Sequence, residues 1–399
     1  MLLTLPTEII IYIIRALDRD TQTLRNVALV CRALLPIVRE ELFAITSERV
    51  LEHPYMRPHF GHIIELVIGG GPVLSLRRHL DSHAASCLQS QPLPKLKAIR
   101  FVTAHPVFYF RLPPELYTAL ESFTAVTDLT LCWASFHNLS HAQSLICALP
   151  NLKCLSMKDV KFFEGGPGSQ SPFLFSIISH PCTAASIRPR LTRLSVAPPP
   201  RSSGSAEIVA WLGQGPCAES LRTLVVPYQS FSADAVLGNF GSTVEHLQMP
   251  LRELDSTIYS GYLDDYTNLR TLTVFLEAYS TCEGPWYLLA PFLERGISAE
   301  HLHTITIDVR IEYPMDLWSA IDWAALDRVN DELDEAKFEG LRKLVFILQW
   351  REGLEWKPAE GERDLVRQQI EQRLYNLVDA GKLEARVQVV GEVVWHVHP

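Results

Sequence analysis

The chain has 399 residues, of which 47% are hydrophobic and 20% are charged, and its formal net charge is −9. These values are typical of a globular protein, so they exclude wholesale disorder, and the length suffices for one large core or a few smaller ones. The acidic balance, with no basic run or basic amphipathic helix, argues against nucleic-acid binding, because neutralising phosphates requires a clustered basic face.

Several signals bear on the compartment. The N-terminus has no positively charged n-region, and Glu8 interrupts the only early apolar run, so a signal peptide is not expected. No segment approaches the roughly 20 apolar residues that span a membrane, so no membrane contact is predicted. The cysteines occur singly, without a C-x-x-C pair, and most lie in apolar segments. A reducing compartment, the cytoplasm or the nucleus, is therefore predicted.

The first 45 residues predict three short helices with more apolar surface than a solvated tail would carry. Pro6 and Glu8 suit the first turn of a helix. Its apolar face is predicted to contain Ile9, Ile10, Ile13, Ile14 and Leu17. Asp20 is the predicted N-cap of the second helix, and Pro36 begins the third.

This segment resembles an F-box, the helical motif that docks onto the Skp-type adaptor of a cullin-RING ubiquitin ligase. The matching elements are Leu-Pro-x-Glu-Ile-Ile at 5–10, Val-Cys-Arg at 30–32 and Glu-Leu-Phe at 41–43. Many F-boxes have Trp shortly after Cys-Arg, where this chain has Ala33 and Leu34. The adaptor contacts that the resemblance implies are Leu5, Pro6, Ile9, Ile13, Val27, Val30, Cys31 and Leu42. An ordinary helical cap on the following domain is the alternative.

From residue 60 onward, an apolar triplet recurs with the spacing apolar-x-x-apolar-x-apolar. Its middle residues are Leu66, Ile99, Leu129, Leu155, Leu194, Leu224, Leu247, Leu272, Ile305 and Leu344. The last two triplet positions alternate as on the inner face of a strand, and the first is predicted to fix the turn before it. Helical segments are predicted between the triplets at 114–123, 141–149, 206–212, 232–240 and 287–295. Since one strand and one helix cannot bury their own apolar face, such units are expected to stack.

The repeat is similar to degenerate leucine-rich repeats, which commonly follow an F-box in fungal proteins. The resemblance implies an α/β fold with an F-box at 1–45 and an irregular leucine-rich-repeat-like solenoid at 60–399. Its repeats are expected at about 63–350 and its C-terminal cap at about 351–399. An α/β sandwich whose parallel sheet mimics the repeat is the alternative.

The C-terminal part predicts two helices and a strand. The first helix, over 315–339, has an apolar side and an acidic side that is either solvated or docks a basic segment. Its predicted apolar side contains Trp318, Ile321, Leu326, Val329 and Leu333. The second helix is predicted over about 362–380, ending at Gly381, and a final strand over 387–397.

Sequence motifs predict no catalytic residue, cofactor or metal. Gly69 to Gly71 follow a strand but fit no phosphate-binding motif. The pairs His301/His303 and His396/His398 lack a third ligand at a convincing spacing. The chain is therefore predicted not to be an enzyme.

Aromatic residues just after the triplets are the predicted contacts for a target protein, because Tyr and Trp favour interfaces. They are Trp133, Tyr228, Tyr279, Tyr313 and Trp350. Basic residues within the triplets suggest either a weakly basic strip on the outward face or solvated charge. They are Arg100, Arg193, Arg222, Arg270 and Arg342, with Lys97, Lys153 and Lys343.

The resemblance implies a substrate-recognition subunit of an SCF-type ubiquitin ligase. In that function the F-box binds the Skp-type adaptor and cullin complex, and the solenoid binds an unknown target protein. The alternative is a protein-interaction scaffold without a ligase role, in which the N-terminal helices cap the solenoid.

Overall fold

A computed structural model of the chain describes residues 23, 45–47, 54–69, 93–102, 110–111, 114–136, 138–162, 188–197, 204–226, 236–251, 263–278, 286–295, 297, 300–311, 318–351 and 360–390. The chain divides into two compact units, an N-terminal unit of residues 1–189 and a C-terminal unit of residues 190–399. The predicted adaptor contacts, from Leu5 to Leu42, lie outside the described residues.

The N-terminal unit contains eight described strands. They are β1 (Ile45–Ser47), β2 (Glu65–Gly69), β3 (Ala98–Val102), β4 (Phe110–Arg111), β5 (Asp128–Cys132), β6 (Ala134–Phe136), β7 (Cys154–Lys158) and β8 (Lys161–Phe162). β1, β2, β3, β5 and β7 pair in this order, and every pairing is parallel. β4, β6 and β8 form a second, smaller parallel sheet.

Two α-helices are described in this unit, α1 (Pro114–Leu120) and α2 (Leu139–Cys147), together with a 3-10 helix over Pro54–His62. α2 begins after Asn138, whose side-chain oxygen accepts a hydrogen bond from the His141 N–H at 3.0 Å. Its buried residues Ala142, Leu145 and Ile146 face the core. Both helices confirm predicted helical segments.

The C-terminal unit continues the alternation of strands and helices. Its described strands are β9 (Arg193–Ala197), β10 (Thr223–Val225), β11 (His246–Pro250), β12 (Thr271–Ala278), β13 (Thr304–Ile311), β14 (Lys343–Arg351) and β15 (Leu383–Val390). Its described α-helices are α3 (Gly204–Gly213), α4 (Cys217–Ser220), α5 (Trp286–Arg295), α6 (Trp323–Leu333), α7 (Glu360–Arg373) and α8 (Tyr375–Asp379), with a 3-10 helix over Ala336–Phe338. Each of the strands pairs in parallel with the next along the chain.

The middle triplet residues lie opposite one another across the strands. In the N-terminal unit, Leu66, Ile99, Leu129 and Leu155 are successive partners in register. In the C-terminal unit the partners run Leu194, Leu224, Leu247, Leu272, Ile305 and Leu344. All ten are at most 1% exposed, so the predicted inner face of the strands is confirmed.

Within each unit, a repeated hydrogen-bond pattern joins neighbouring repeats. The Thr127 carbonyl accepts bonds from the N–H groups of Lys153 and Cys154, at 2.8 and 2.9 Å. The Leu152 N–H, at the first triplet position, donates to the Leu149 carbonyl at 3.1 Å and closes the turn that leads into β7. The Lys97 and Arg222 carbonyls likewise each accept two bonds from the following repeat. The N–H groups of Val126 and Val244, at the first triplet positions, close the corresponding turns. The turn predicted at the first triplet position is thereby confirmed.

The predicted helix over 315–339 is wrong in length. The structure has the shorter α6, because Asp322 caps its N-terminus by accepting a hydrogen bond from the Ala325 N–H at 3.0 Å. Ile321, Leu326, Val329 and Leu333 are buried as predicted. Trp318 lies before the helix and is 39% exposed, so its assignment to the apolar side is also wrong.

The end of the chain also differs from the prediction. The second helix is interrupted at Leu374, giving α7 and α8. Gly381 has φ +66° and ends the helical segment as predicted, because glycine tolerates this left-handed conformation. The final strand, β15, begins at Leu383 rather than at residue 387 and pairs with β14. In the described part of the chain, no helix is long and apolar enough to cross a membrane.

Candidate protein-binding surface

The predicted target contacts fall into three groups. Tyr228, Tyr279 and Tyr313 lie outside the described residues. Trp350 is only 1% exposed, and the guanidinium of Arg363 covers its ring at 4.8 Å from the centroid. Trp350 therefore belongs to the core, and its prediction as an exposed anchor is wrong, because its position on β14 places the indole on the inner face of the sheet.

Trp133 is half-exposed and lies at a corner of the chain between β5 and β6. Its φ of 53° is in the left-handed region, which bulky residues rarely adopt. Asp159, which follows β7, has the same conformation with φ 52°. Cys132 and Lys158 are partners in register, so Trp133 and Asp159 occupy equivalent positions in neighbouring repeats. This corner turns the chain from the main sheet into the second sheet.

Opposite charges surround the indole at this corner. The Lys158 ammonium lies 5.2 Å from the centroid of the Trp133 ring. The backbone N–H of Trp133 donates a hydrogen bond to the backbone carbonyl of Lys158 at 2.8 Å. Burial raises the pKa of the Asp159 carboxyl, while Lys158 and a hydrogen bond from Trp133 oppose that rise. Indole, ammonium and carboxylate together form a mixed apolar and charged group of side chains at this corner.

The neighbouring thiol does not have the properties of a nucleophile. Burial raises the pKa of Cys132, although Lys158 and Arg100 oppose this effect. A thiol with a raised pKa is protonated at neutral pH, and the thiolate is the reactive form. Cys132 is therefore not activated as a nucleophile at this corner.

A second group of polar side chains lies on the outward positions of β12, β13 and β14. Glu277, Arg310 and Gln349 are successive partners in register, and Asp308 lies two residues before Arg310 on the same face. Arg310 pairs with Asp308 at 3.2 Å, and Gln349 donates a hydrogen bond to the other carboxylate oxygen of Asp308. The Arg310 guanidinium also lies 4.6 Å from the centroid of the Phe275 ring. We call Phe275, Glu277, Asp308, Arg310 and Gln349 the polar network.

The polar network is mostly withdrawn from water. Asp308 is 5% exposed and Glu277 is 7% exposed. Burial raises the pKa of Asp308, while the charge of Arg310 and the hydrogen bonds from Gln349 and Arg310 oppose this effect. Sequence reasoning missed this network, because its members lie on three strands that are far apart in the sequence and meet only through the register of those strands.

The predicted basic strip is interrupted by carboxylates. Glu245 pairs with both Arg222 and Arg270, at 3.4 and 3.6 Å. Arg100 pairs with the buried Glu65 at 3.0 Å. The basic residues thus alternate with acidic ones at these positions, so the alternative of a weakly basic strip does not hold there.

The acidic side of the predicted C-terminal helix is partly used within the fold. Asp322 caps α6, and Asp327 pairs with Arg373 of α7. Asp331 and Asp334 are exposed. Docking of a basic segment here stays a prediction. Within the described residues, no group of three or more His, Cys, Asp or Glu side chains is placed to hold a metal ion.

Comparison with known proteins adds no family to this description. No protein-family model matches the chain. No curated protein matches it significantly.

Proposed function

We propose that the chain is the substrate-recognition subunit of an SCF-type cullin-RING ubiquitin ligase. In this proposal residues 1–45 form an F-box that binds the Skp-type adaptor, and residues 60–399 form an irregular leucine-rich-repeat-like solenoid that binds a target protein. The complex would work in the cytoplasm or the nucleus.

The resemblance of residues 5–43 to an F-box supports adaptor binding, and the observation that supports target binding is the order and register of the parallel strands within each unit. Strands that pair in chain order, with the middle triplet residues opposite one another, are what stacked strand and helix repeats require. The turn at the first triplet position and the shared carbonyl acceptor repeat as well. Repeats of this kind present an extended surface for binding another protein.

The side chains at the Trp133 corner support a binding role for this part of the N-terminal unit. The corner at Trp133 offers an indole between Lys158 and Asp159. Trp is favoured at interfaces because its ring contributes a large contact area with one polar group. Trp133 is therefore the target contact that we retain from the sequence prediction.

No covalent step on this chain is required by the proposed function. A receptor accelerates ubiquitin transfer by holding the target near the charged enzyme, so that a bimolecular reaction becomes effectively intramolecular. The chain would act as a non-enzymatic adapter, without a cofactor or a metal.

An adaptor pull-down tests the proposal. The full-length chain is expected to retain a purified Skp-type adaptor, and the double change Leu5→Ala with Pro6→Ala is expected to abolish retention. Leu365→Ala is the matched control, because Leu365 on α7 is 56% exposed and lies outside the proposed F-box. All three proteins are expected to have nearly the same melting temperature, since the double change is confined to the docking segment.

The outcomes separate the two candidate functions. Retention of the adaptor by the double variant would overturn the F-box assignment. If the unmodified chain binds no adaptor, and affinity purification with mass spectrometry recovers no cullin, a scaffold without a ligase role replaces the proposal.

A further inference from the structure

Two tryptophan side chains stack at the surface of the C-terminal unit, where α6 begins. Trp318, in the turn before the helix, is 39% exposed, and its ring centroid lies 5.5 Å from that of Trp323, the first residue of α6. The indole N–H of Trp323 donates a hydrogen bond to the Trp318 carbonyl at 3.2 Å. The indole N–H of Trp286 on α5 donates to the Ala320 carbonyl at 3.0 Å and so fixes the same turn. We call Trp318 and Trp323 the indole pair, which is held in place without being fully buried.

A line of aspartates continues from the indole pair along one face of α6. Trp323, Asp327 and Asp331 follow one another at intervals of four residues, and Asp334 comes three residues later. Residues at these intervals lie on the same side of a helix, so the line extends about 16 Å from Trp323. Asp331 and Asp334 are exposed, and Asp327 is half-exposed. We call Asp327, Asp331 and Asp334 the acidic stripe.

Negative charge dominates around the acidic stripe. Residues 322–339 contain seven carboxylates but only two basic side chains, Arg328 and Lys337. The carboxylates are those of Asp322, Asp327, Asp331, Glu332, Asp334, Glu335 and Glu339. Partial burial raises the pKa of Glu332, and nearby carboxylates, Glu335 foremost, add to that rise, while Lys337 opposes it. One carboxylate oxygen of Glu332 is buried without a hydrogen-bond partner among the described residues. A cationic partner would therefore reduce the repulsion between these carboxylates.

An arginine of the fold already occupies one position of the acidic stripe. Arg373 of α7 pairs with Asp327, and both side chains remain partly exposed. Among the described residues, Asp331 and Asp334 have no ion-pair partner. A guanidinium pairs with carboxylates and also stacks on indole rings, so arginine suits both the acidic stripe and the indole pair.

We propose that the indole pair and the acidic stripe together bind an arginine-rich segment of a partner protein, whose guanidinium groups stack on the indoles and pair with Asp331 and Asp334. Charge complementarity selects this occupant. A second copy of this chain is disfavoured, because two acidic stripes would repel each other. The proposal concerns the C-terminal unit alone and does not rest on adaptor binding.

Binding of synthetic peptides to the full-length chain tests the proposal. The probe is a fluorescein-labelled helical peptide of alanine and glutamine with four arginines at i, i+4, i+8 and i+11, the spacing of Trp323 and the acidic stripe. A second peptide has Gln in place of each Arg, and a third has the same composition with its arginines distributed around the helix. Fluorescence anisotropy is expected to show the first peptide binding about tenfold more tightly than the Gln peptide and about threefold more tightly than the third.

Variants locate the binding on the protein. Asp331→Asn and Trp318→Leu are each expected to weaken binding of the first peptide about threefold, since one removes a charge and the other a cation–π contact. Asp264→Asn is the matched control for the charge, because Asp264 is exposed in the turn before β12. Trp211→Leu is the matched control for the indole, because Trp211 is half-exposed on α3. Both controls are expected to bind the peptide with unchanged affinity.

Several results would overturn the proposal. Equal affinity for the Arg and Gln peptides would show that charge does not select the ligand. Equal affinity for the first and third peptides would indicate unspecific attraction to an acidic protein. Losses in Asp264→Asn and Trp211→Leu as large as those in Asp331→Asn and Trp318→Leu would place the binding elsewhere. A stable dimer in light scattering that Trp318→Leu dissociates would assign the surface to a second copy of the chain. Melting temperatures of the variants exclude unfolding as the cause of any loss.

Discussion

Leu247 of β11 lies directly opposite Leu272 of β12, and both side chains are fully buried. Each is the middle residue of its triplet, with a buried neighbour from the adjoining strand on either side. Removing one of them leaves a cavity that well-packed strands on both sides cannot close. We expect Leu272→Ala to lower the free energy of unfolding by about 2 to 5 kcal/mol, as measured by urea denaturation.

The matched control is Leu365→Ala, the same chemical change at a position that is 56% exposed. It is expected to change the free energy of unfolding by less than about 0.5 kcal/mol, as is usual for surface positions. Similar losses in the two variants would contradict the assignment of Leu272 to a packed inner face.

The inner face of the strands could be predicted from the sequence because it depends on local spacing. Alternation within a strand places two apolar residues on one face, and this relation requires no knowledge of distant residues. The register between strands then follows from matching the triplets, as the pairing of Ile305 with Leu344 confirms. Helices were predicted less well where one capping side chain decided the boundary, as Asp322 does at the start of α6.

The candidate surface was predicted only in part. The second small sheet was missed because its corner is formed by Trp133 and Asp159, and Trp is not a residue that signals a left-handed turn. The pairing of Glu277 with Arg310 also has no local signal, since two distant strands must align before these residues become neighbours. Trp350 was misassigned because an aromatic residue after a triplet fits the core as well as it fits an interface.

The polar network is expected to make stability depend on pH through Asp308. Burial raises its pKa above the ordinary 3.8, so the folded chain binds this proton more tightly than the unfolded chain. The contribution to the free energy of unfolding is therefore greatest below pH 3.8 and falls as the pH rises through the raised pKa. The stability difference between the unmodified chain and Asp308→Asn is expected to decrease over this range, as measured by urea denaturation at several pH values. An increase in this stability difference with rising pH would contradict a pKa of Asp308 that burial has raised.

Glu384 is expected to make the free energy of unfolding depend on pH in the opposite direction. Hydrogen bonds from Lys343 and Arg386 lower its pKa below the ordinary 4.5, so its contribution is present above pH 4.5 and is lost as the pH falls through the lowered pKa. The stability difference between the unmodified chain and Glu384→Gln should therefore grow as the pH rises. The same denaturation series measures both variants. If the two stability differences change in the same direction with pH, one of the two pKa shifts is assigned wrongly.

The corner at Trp133 can be tested by two substitutions that both remove the indole. Asn tolerates the left-handed conformation that Trp133 adopts at φ 53°, whereas the β-branched Val does not. Since the contacts of the indole are lost in both variants, the difference between their free energies of unfolding measures the cost of the left-handed backbone conformation. Trp133→Val is expected to be less stable than Trp133→Asn by about 1 to 2 kcal/mol in urea denaturation. Equal stabilities would indicate that the corner relaxes to another conformation.

The thiol of Cys217 provides a probe of the packing in the C-terminal unit. Cys217 is fully buried at the start of α4, and burial raises its pKa to about 12 from the ordinary 9.0. Because the thiolate is the species that reacts, alkylation by iodoacetamide at pH 8 should be about a thousandfold slower in the folded chain than for an unperturbed thiol.

Peptide mass spectrometry measures the labelling of each cysteine, with the half-exposed Cys147 and Cys154 as internal references. We expect both references to be labelled before Cys217, and all three to react at similar rates in urea. Rapid labelling of Cys217 without denaturant would show that this part of the core opens far more often than its burial indicates.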